Sequence, residues 1–260
     1  MNKEISLIEH EKFLKNTIFF TKKKWPHFNL IFDDIKKLSK KVKKNSTIVS
    51  LERNNLYGGV SLFAPFFYKH NFISVDCTSP KLKKRGAYNK ITKRSNIIVK
   101  NKNYQFDYRN IKLKKNLADL IIIPNLMHHI EDIEIFFTQV KSILKKNGRI
   151  YIFEPLLREL HQIPEDYFRI TPFGFKSILR KLKFDNFIIR YNGGPFTAIG
   201  YCWDQALQFL PKKIRVKKKK WLDNEFSKYI QLDKKYKVNK VRKNTIFPMS
   251  FSIEAKSRIK

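Results

Sequence analysis

The spacing of apolar residues changes several times along the chain, from the period of about 3.6 that is typical of helices to short continuous runs that are typical of buried strands. A helix is predicted first, where apolar residues share one face: Ile31, Ile35, Leu38 and Val42. Residues 47–51 and 72–75 are short apolar runs, and residues 60–67 between them have apolar positions at helical spacing. This unit is therefore predicted to be strand, loop, helix and strand.

The middle of the chain continues the alternation. Further strands are predicted where apolar runs recur, at residues 97–99, 119–123, 150–153 and 187–191. A helix is predicted to begin after the N-cap Asp132 and to end at Asn147-Gly148, and another is predicted to open at Thr171-Pro172. Strands and helices that alternate with short loops predict a mostly parallel sheet that is covered on both faces.

The end of the chain departs from this pattern. Residues 247–255 alternate strictly between apolar and polar side chains, which predicts a half-buried, antiparallel final strand. Residues 196–246 before it are predicted to be a partly helical, basic insertion. Without internal repeats or low-complexity linkers, residues 1–260 are expected to form one domain, with an N-terminal helical segment at 1–45, a core at 46–195 and the final strand at 247–256.

Composition narrows the class of protein. A chain of 260 residues with 42% hydrophobic residues can bury a core, so a disordered protein is excluded. The apolar runs are too short to span a bilayer and the N-terminus has no signal-peptide pattern, so a cytoplasmic protein is expected. Cys77 and Cys202 have neither disulfide nor metal-ligand spacing, and no metal site is predicted.

The formal net charge of +33 has two interpretations. Clustered lysine and arginine attract an anionic partner such as nucleic acid, phospholipid headgroups or an acidic glycan. Alternatively, the lysines reflect a compositional bias, because they are spread over every segment and only residues 217–220 form a continuous block.

Candidate ligand-binding residues follow the predicted strands. In an open α/β sheet the ligand lies outside the carboxyl ends of the strands. Gly58 and Gly59 follow the first strand, where backbone can approach a ligand closely, and Asp76 ends the second, where a carboxylate can accept both hydroxyls of a ribose. Turn chemistry alone also explains two glycines and an aspartate at such positions.

Two longer segments resemble a known family. Two nearby segments, 118–132 (ADLIIIPNLMHHIED) and 140–149 (VKSILKKNGR), resemble type 11 class I methyltransferases. They match the fourth strand of that family, the helix that follows it and the turn before the fifth strand. The segment 161–172 (HQIPEDYFRITP) is similar to a His-x-x-Pro-x-Asp-Tyr-x-Arg-x-Thr signature of one subgroup. The resemblance covers residues 47–194, and the predicted last strand fits the family's antiparallel seventh strand. It implies a Rossmann-like, three-layer sandwich with a mostly parallel seven-stranded sheet.

The resemblance also implies the cofactor S-adenosyl-L-methionine and transfer of its methyl group. By this likeness Asp76 would hold the ribose, Asp107 would face the adenine amine and Asn125 would lie near the methionine end. Where the family has Asp-x-Gly-x-Gly after its first strand, this chain has Ser50 and Glu52 in place of the Asp and a Gly. The hypotheses are that Gly58 and Gly59 restore the close approach and that Glu52 receives the cofactor's ammonium group.

A hydroxyl or amine acceptor needs a base, for which His129 and His161, together with Asp166 and Tyr167, are the candidates. His129 as a hydrogen-bonded loop anchor is the alternative for that residue, and Asp166 and Arg169 are expected either to pair and brace the loop or to contact the substrate.

The predicted function is methylation of a small molecule, a glycan or a lipid-linked substrate. A catalytically silent methyltransferase fold and a nucleic-acid methyltransferase are the alternatives. The basic insertion has two interpretations. It is either a membrane-surface patch or substrate lid, or a helical cover that packs on the sheet.

Overall fold

The computed structural model describes residues 26–53, 61, 63–67, 69–77, 101–238 and 245–258. Its helices are α1 (Pro26–Lys41), α2 (Ile133–Ile143), α3 (Pro172–Lys181), α4 (Pro195–Ala206) and α5 (Lys212–Lys235). Its strands are β1 (Thr47–Glu52), β2 (Asn71–Asp76), β3 (Asn101–Gln105), β4 (Ala118–Pro124), β5 (Leu144–Pro155), β6 (Phe184–Asn192) and β7 (Ser250–Ser257).

These strands form one seven-stranded sheet in the order β3-β2-β1-β4-β5-β7-β6. The pairs among β1 to β5 are parallel, whereas β7 is antiparallel to both β5 and β6. The order reverses between β1 and β4, so the loops that leave these two strands diverge from a common edge. The predicted Rossmann-like fold with an antiparallel last strand is confirmed.

Both faces of the sheet are covered. On one face, α2 and α3 bury aromatic and aliphatic side chains against the strands, including Phe136, Phe137 and Phe175. On the other face, α1 packs Ile31 and Ile35 with the aromatic residues of a short 3-10 turn, Ala64–Phe67. Burial on both faces explains why β1 and β4 are apolar without alternation.

Three elements differ from the sequence prediction. The third strand is Asn101–Gln105, a polar stretch, because pairing along β2 from Phe72 onward fixes its position; the predicted strand at 97–99 lies outside the described residues. The described part of the predicted helix at 60–67 is a single 3-10 turn. Helix α2 begins after Asp132 as predicted but ends at Ile143, since β5 starts at Leu144.

The C-terminal part differs most. The predicted half-buried strand at 247–255 is instead almost wholly buried at Ser250–Ser257, because β7 lies between two strands and not at an edge. Glu254 consequently lies inside, where Arg190 of β6 pairs with it at 2.6 Å. The basic insertion contains α4 and α5, so two ordinary helices do connect β6 to β7. None of the helices in the described ranges is long and apolar enough to cross a membrane.

Candidate functional site

A cleft opens at the carboxyl ends of the central strands, as the topology predicts. In the part of the chain that the structure describes, its cavity volume is about 100 Å³, below the range typical of pockets that enclose a whole cofactor-sized molecule. The lining residues come from the ends of β1, β2, β3 and β4 and from the loop after β5: Arg53, Cys77, Asp107, Tyr108, Arg109, Leu126, His129, Ile130, Glu165 and Tyr167.

Two carboxylates end the neighbouring strands β1 and β2. The parallel register pairs Glu52 with Asp76, and both are buried. Glu52 accepts a hydrogen bond from Ser50 Oγ at 2.6 Å and another from Ser61. Burial raises the pKa of Glu52 above its usual range, and the nearby Asp76 raises it further. Ser50 is fully buried, so its role is to hold Glu52 and not to touch a ligand in the cleft.

Arg53, which follows β1, ties this edge to the loop after β5. Its guanidinium pairs with the Glu165 carboxylate at 2.5 Å and donates to the Glu165 carbonyl at 3.1 Å. Burial lowers the pKa of Arg53, although Glu165 opposes that effect. The ion pair therefore closes one wall of the cleft from two loops that are 112 residues apart in sequence.

Asp107 lies two residues beyond β3, and Asn125 directly follows β4. Asp107 lines the cleft and caps its own turn by accepting from Arg109 N at 2.8 Å. Asn125 adopts a left-handed conformation with φ of 50°, and its buried Oδ1 has no hydrogen-bond partner among the described residues. Gly58 and Gly59 lie outside the described residues.

Three imidazoles cluster beside the cleft: His128, His129 and His161. His128 Nδ1 lies 2.6 Å from Glu154 Oε2, while Glu154 Oε1 accepts from the backbone N–H groups of Leu126 and Met127 at 2.8 Å. His129 Nδ1 bonds to the backbone carbonyl of Glu165. His129 thus anchors the loop, as one of its two interpretations predicted.

His161 is held by the loop around it. Asp166 Oδ2 lies 3.0 Å from His161 Nδ1 and also accepts from the His161 backbone N–H at 3.0 Å. Arg169 clamps the same carboxylate with bonds of 2.5 and 2.9 Å. Burial alone would raise the pKa of Asp166, but hydrogen bonds from Arg169 and His161 lower it overall. Asp166 and Arg169 therefore pair and brace the loop.

Burial sets the protonation of the cluster. It lowers the pKa of His128 and of His161 to about 3, aided by the charge of Arg158, and it lowers the pKa of His129 as well, aided by His128. Burial raises the pKa of Glu154 to about 8. The three imidazoles are therefore neutral near pH 7, and as bases they are weak, since efficient base catalysis needs a pKa near the working pH.

The sequence reasoning missed Arg53, His128 and Glu154. The signals were present, because Arg53 and Glu154 are charged residues directly after or within apolar strands, and His128 adjoins a named candidate. Charges in such positions are buried and need partners. Their partners, however, come from other loops, which spacing alone does not identify.

The residues present fit the cofactor that the resemblance implies. Asp76 and Asp107 lie at the ends of adjacent strands, where a nucleoside would span β2 and β3. The unpartnered Asn125 Oδ1 is an acceptor for an ammonium group near β4. The cleft also supplies apolar surface from Leu126 and Ile130.

Comparisons with known proteins agree with this geometry. Residues 58–152 match a family model described as a methyltransferase domain. No curated protein matches the sequence.

Three solved structures share the fold. Phosphoethanolamine N-methyltransferase 2 of Haemonchus contortus, in complex with phosphomonomethylethanolamine and S-adenosylhomocysteine, is 13% identical with a TM-score of 0.54 and covers 87% of this chain; the chain spans 52% of its length. A putative methyltransferase of Bacillus halodurans is 15% identical with a TM-score of 0.53, over 87% of this chain and 100% of its own. A putative sarcosine dimethylglycine methyltransferase of Galdieria sulphuraria is 12% identical with a TM-score of 0.53. The match covers 92% of this chain and 86% of that protein.

Proposed function

We propose that the chain, which matches a methyltransferase domain over residues 58–152 and has the class I methyltransferase fold, uses S-adenosylmethionine to methylate a small molecule, a glycan or a lipid-linked substrate. The observation that carries the proposal is the cleft at the carboxyl edge of the sheet, which Asp107 lines, with Asp76 at the end of β2 and Asn125 directly after β4. When bound, the cofactor supplies an electrophilic methyl group on a sulfonium.

The residues of the chain bind the cofactor and position the acceptor. Asp76 accepts from the ribose hydroxyls, Asp107 accepts from the adenine amine, and Asn125 and Glu52 face the amino-acid end. The Arg53–Glu165 pair and Tyr167 wall the cleft against water. Because methyl transfer depends mainly on the alignment of acceptor and methyl group, a rigid wall is an effective contribution to the rate. We infer that His129, which lines the cleft, and the adjacent His161 orient the acceptor.

The direct experiment is titration calorimetry of the purified full-length protein with S-adenosylmethionine, together with mass spectrometry for S-adenosylhomocysteine that copurifies. Binding to a single site supports the proposal. Absence of binding and of copurified product favours the alternative, a methyltransferase fold that is catalytically silent, for which the Ser50–Glu52 substitution of the usual Asp and Gly is the specific observation.

Replacing Asp76 by Ala is expected to weaken S-adenosylmethionine binding by roughly 10- to 100-fold, since hydrogen bonds to a charged group contribute about 1.5–3 kcal/mol. The matched control is Asp119→Asn, an aspartate at the opposite edge of the sheet, where it accepts from Thr47 N at 2.8 Å and contacts Lys145. Calorimetry that finds equal affinities for the two variants would contradict the ribose role of Asp76.

We also propose that helices α4 and α5 dock the protein on an anionic lipid surface. The basic-aromatic surface consists of exposed apolar residues of these two helices and the turn between them together with two lysines: Phe196, Ile199, Trp203, Phe209, Leu210, Ile214, Trp221, Lys217 and Lys218. Trp203 and Trp221 meet edge to face at 6.5 Å, so the two helices contribute to one patch.

Helical spacing places charge beside this apolar patch. Lys217 and Lys218 lie three and four residues from Ile214 and four and three residues from Trp221, so the four share one face of α5. An apolar strip flanked by lysines is typical of helices that lie in the interface of anionic membranes. Such docking favours a lipid-linked acceptor, because the loop after β5 also exposes Leu160 and Ile163, by 71% and 73%.

Replacing Lys217 and Lys218 by Gln is expected to weaken binding to vesicles of phosphatidylserine and phosphatidylcholine roughly 30-fold, about 2 kcal/mol, since each basic residue near the surface contributes about 1 kcal/mol. The control makes the same change in net charge at two exposed lysines of α1, Lys36 and Lys37. Co-sedimentation that drops equally in both variants, or a stronger affinity for RNA than for vesicles, would count against the membrane assignment.

A further inference from the structure

The three histidines beside the cleft approach each other closely enough to share one ion. His128 Nε2 and His161 Nε2 are 3.4 Å apart, and one ring nitrogen from each of the three residues lies within 4.8 Å of the others. Two nitrogens bound to one tetrahedral zinc at about 2.0–2.1 Å lie about 3.3–3.4 Å from one another. The spacing of His128 and His161 therefore already fits two positions of a tetrahedron.

Each ring is fixed at its other nitrogen by an oxygen acceptor. His128 Nδ1 faces the Glu154 carboxylate, His161 Nδ1 faces the Asp166 carboxylate at 3.0 Å, and His129 Nδ1 faces the Glu165 carbonyl. Metal-bound histidines almost always have this arrangement, since the bond at one nitrogen sets the tautomer and directs the lone pair of the other toward the metal.

With both Nδ1 atoms donating, two Nε2 lone pairs would oppose each other at 3.4 Å unless a cation lies between them. Without a cation, one Nε2 carries a proton and donates it to the other, and the Nδ1 atom of the donating ring then needs a donor, which a protonated Glu154 carboxyl group supplies to His128. With a cation, both Nδ1 atoms donate to ionised carboxylates and both Nε2 lone pairs bind the ion.

Acidic partners offset the positive charge near the cluster. The guanidinium groups of Arg53, Arg169 and Arg158 are paired with Glu165, Asp166 and, at 3.8 Å, Glu159. Glu154 is 3% exposed, and in the described ranges its ion-pair partner is His128. A divalent ion on His128 would stabilise the ionised form of this buried carboxyl group.

We infer that His128, His129 and His161 form a three-histidine site for a divalent transition metal of the zinc type. Imidazole nitrogens suit zinc, copper, iron and nickel, and three protein ligands leave a fourth position open. His129 lines the cleft, so that position faces it and can take water or an oxygen of a bound molecule. The cysteine count predicted no metal, because these ligands come from two segments that are 32 residues or more apart, a spacing no short motif captures.

The test uses the full-length protein after treatment with a chelator, titrated with Zn²⁺ in competition with a chromophoric chelator and, separately, with Co²⁺. We expect one tight Zn²⁺ site and the intense visible absorption of tetrahedral Co²⁺. His161→Ala, in a partly exposed loop, should lower the Zn²⁺ affinity roughly tenfold or more and abolish the Co²⁺ band.

Two controls make the result decisive. His70→Asn changes a histidine outside the cluster and should leave both readouts unchanged. Circular dichroism melting checks that His161→Ala is folded, and Asp166→Asn, which alters the bond behind His161, should weaken Zn²⁺ binding without removing a ligand. Equal Zn²⁺ affinity in the wild type and His161→Ala, or a weak octahedral Co²⁺ spectrum, would overturn the inference. Because no cofactor is present in these titrations, the result is independent of whether S-adenosylmethionine binds.

Discussion

Replacing Glu154 by Ala is expected to lower the free energy of unfolding by about 3–5 kcal/mol, since each buried N–H group left without an acceptor costs about 1–3 kcal/mol and a cavity adds to this. The carboxylate holds the turn after β4 by accepting from Leu126 N and Met127 N at 2.8 Å, and it contacts His128 at 2.6 Å. Its loss leaves two buried backbone N–H groups without an acceptor and opens a cavity under the histidines. Urea unfolding followed by circular dichroism measures the change.

Glu154→Gln separates shape from charge. Burial raises the pKa of Glu154 to about 8, so the protonated acid predominates near neutrality and the amide resembles it. We expect the Gln variant to lose only about 1 kcal/mol, a typical net contribution of one hydrogen bond. Glu134→Ala, on the exposed side of α2, is the matched control and should have little effect. Equal stability of the Ala and Gln variants would mean that the oxygen acceptors of Glu154 do not hold the turn.

The order of strands and helices was predictable because burial on both faces makes parallel strands apolar throughout. β1 and β4 are examples, and the Asp132 and Thr171 caps marked two helix starts correctly. β3 was misplaced because its position depends on pairing with β2 and not on its own polar sequence. The alternating polar residues of β7 predict that one face of the strand is exposed to solvent. Ser250, Ser252 and Glu254 are buried instead, because β7 lies between two strands.

The candidate site was also predictable only in part from the sequence. Asp76 could be named from sequence because it ends a strand and all strands of a parallel sheet end at one edge, whereas Asp107 and Asn125 were named through the family resemblance. The pairing of Arg53 with Glu165 and the meeting of His128 with His161 could not, because they join loops that are distant in sequence. How those loops fold back over the edge is set by packing, which a linear pattern does not contain.

Replacing Asp233 by Ala is expected to lower the free energy of unfolding by about 3 kcal/mol, more than an ordinary helix cap, because several buried donors lose their acceptor together. Asp233, on α5, accepts from the backbone N–H groups of Gly194 and Thr197 at 2.8 and 2.9 Å, from Phe196 N at 3.1 Å and from the Thr197 hydroxyl. It thus caps the N-terminus of α4 from a different helix, where a negative charge also complements the helix dipole.

Asn224→Ala, on the exposed side of α5, controls for helix propensity and should be nearly neutral. Asp233→Asn retains an acceptor oxygen, so its free energy of unfolding in urea should lie between those of Asp233→Ala and Asn224→Ala. A loss confined to α4 and α5, visible as faster proteolysis there with the sheet intact, would still support the cap. An unchanged midpoint and unchanged proteolysis in Asp233→Ala would contradict it. Since α5 carries Lys217 and Lys218, undocking α5 should also reduce binding to anionic vesicles, which links the stability of this contact to the proposed surface.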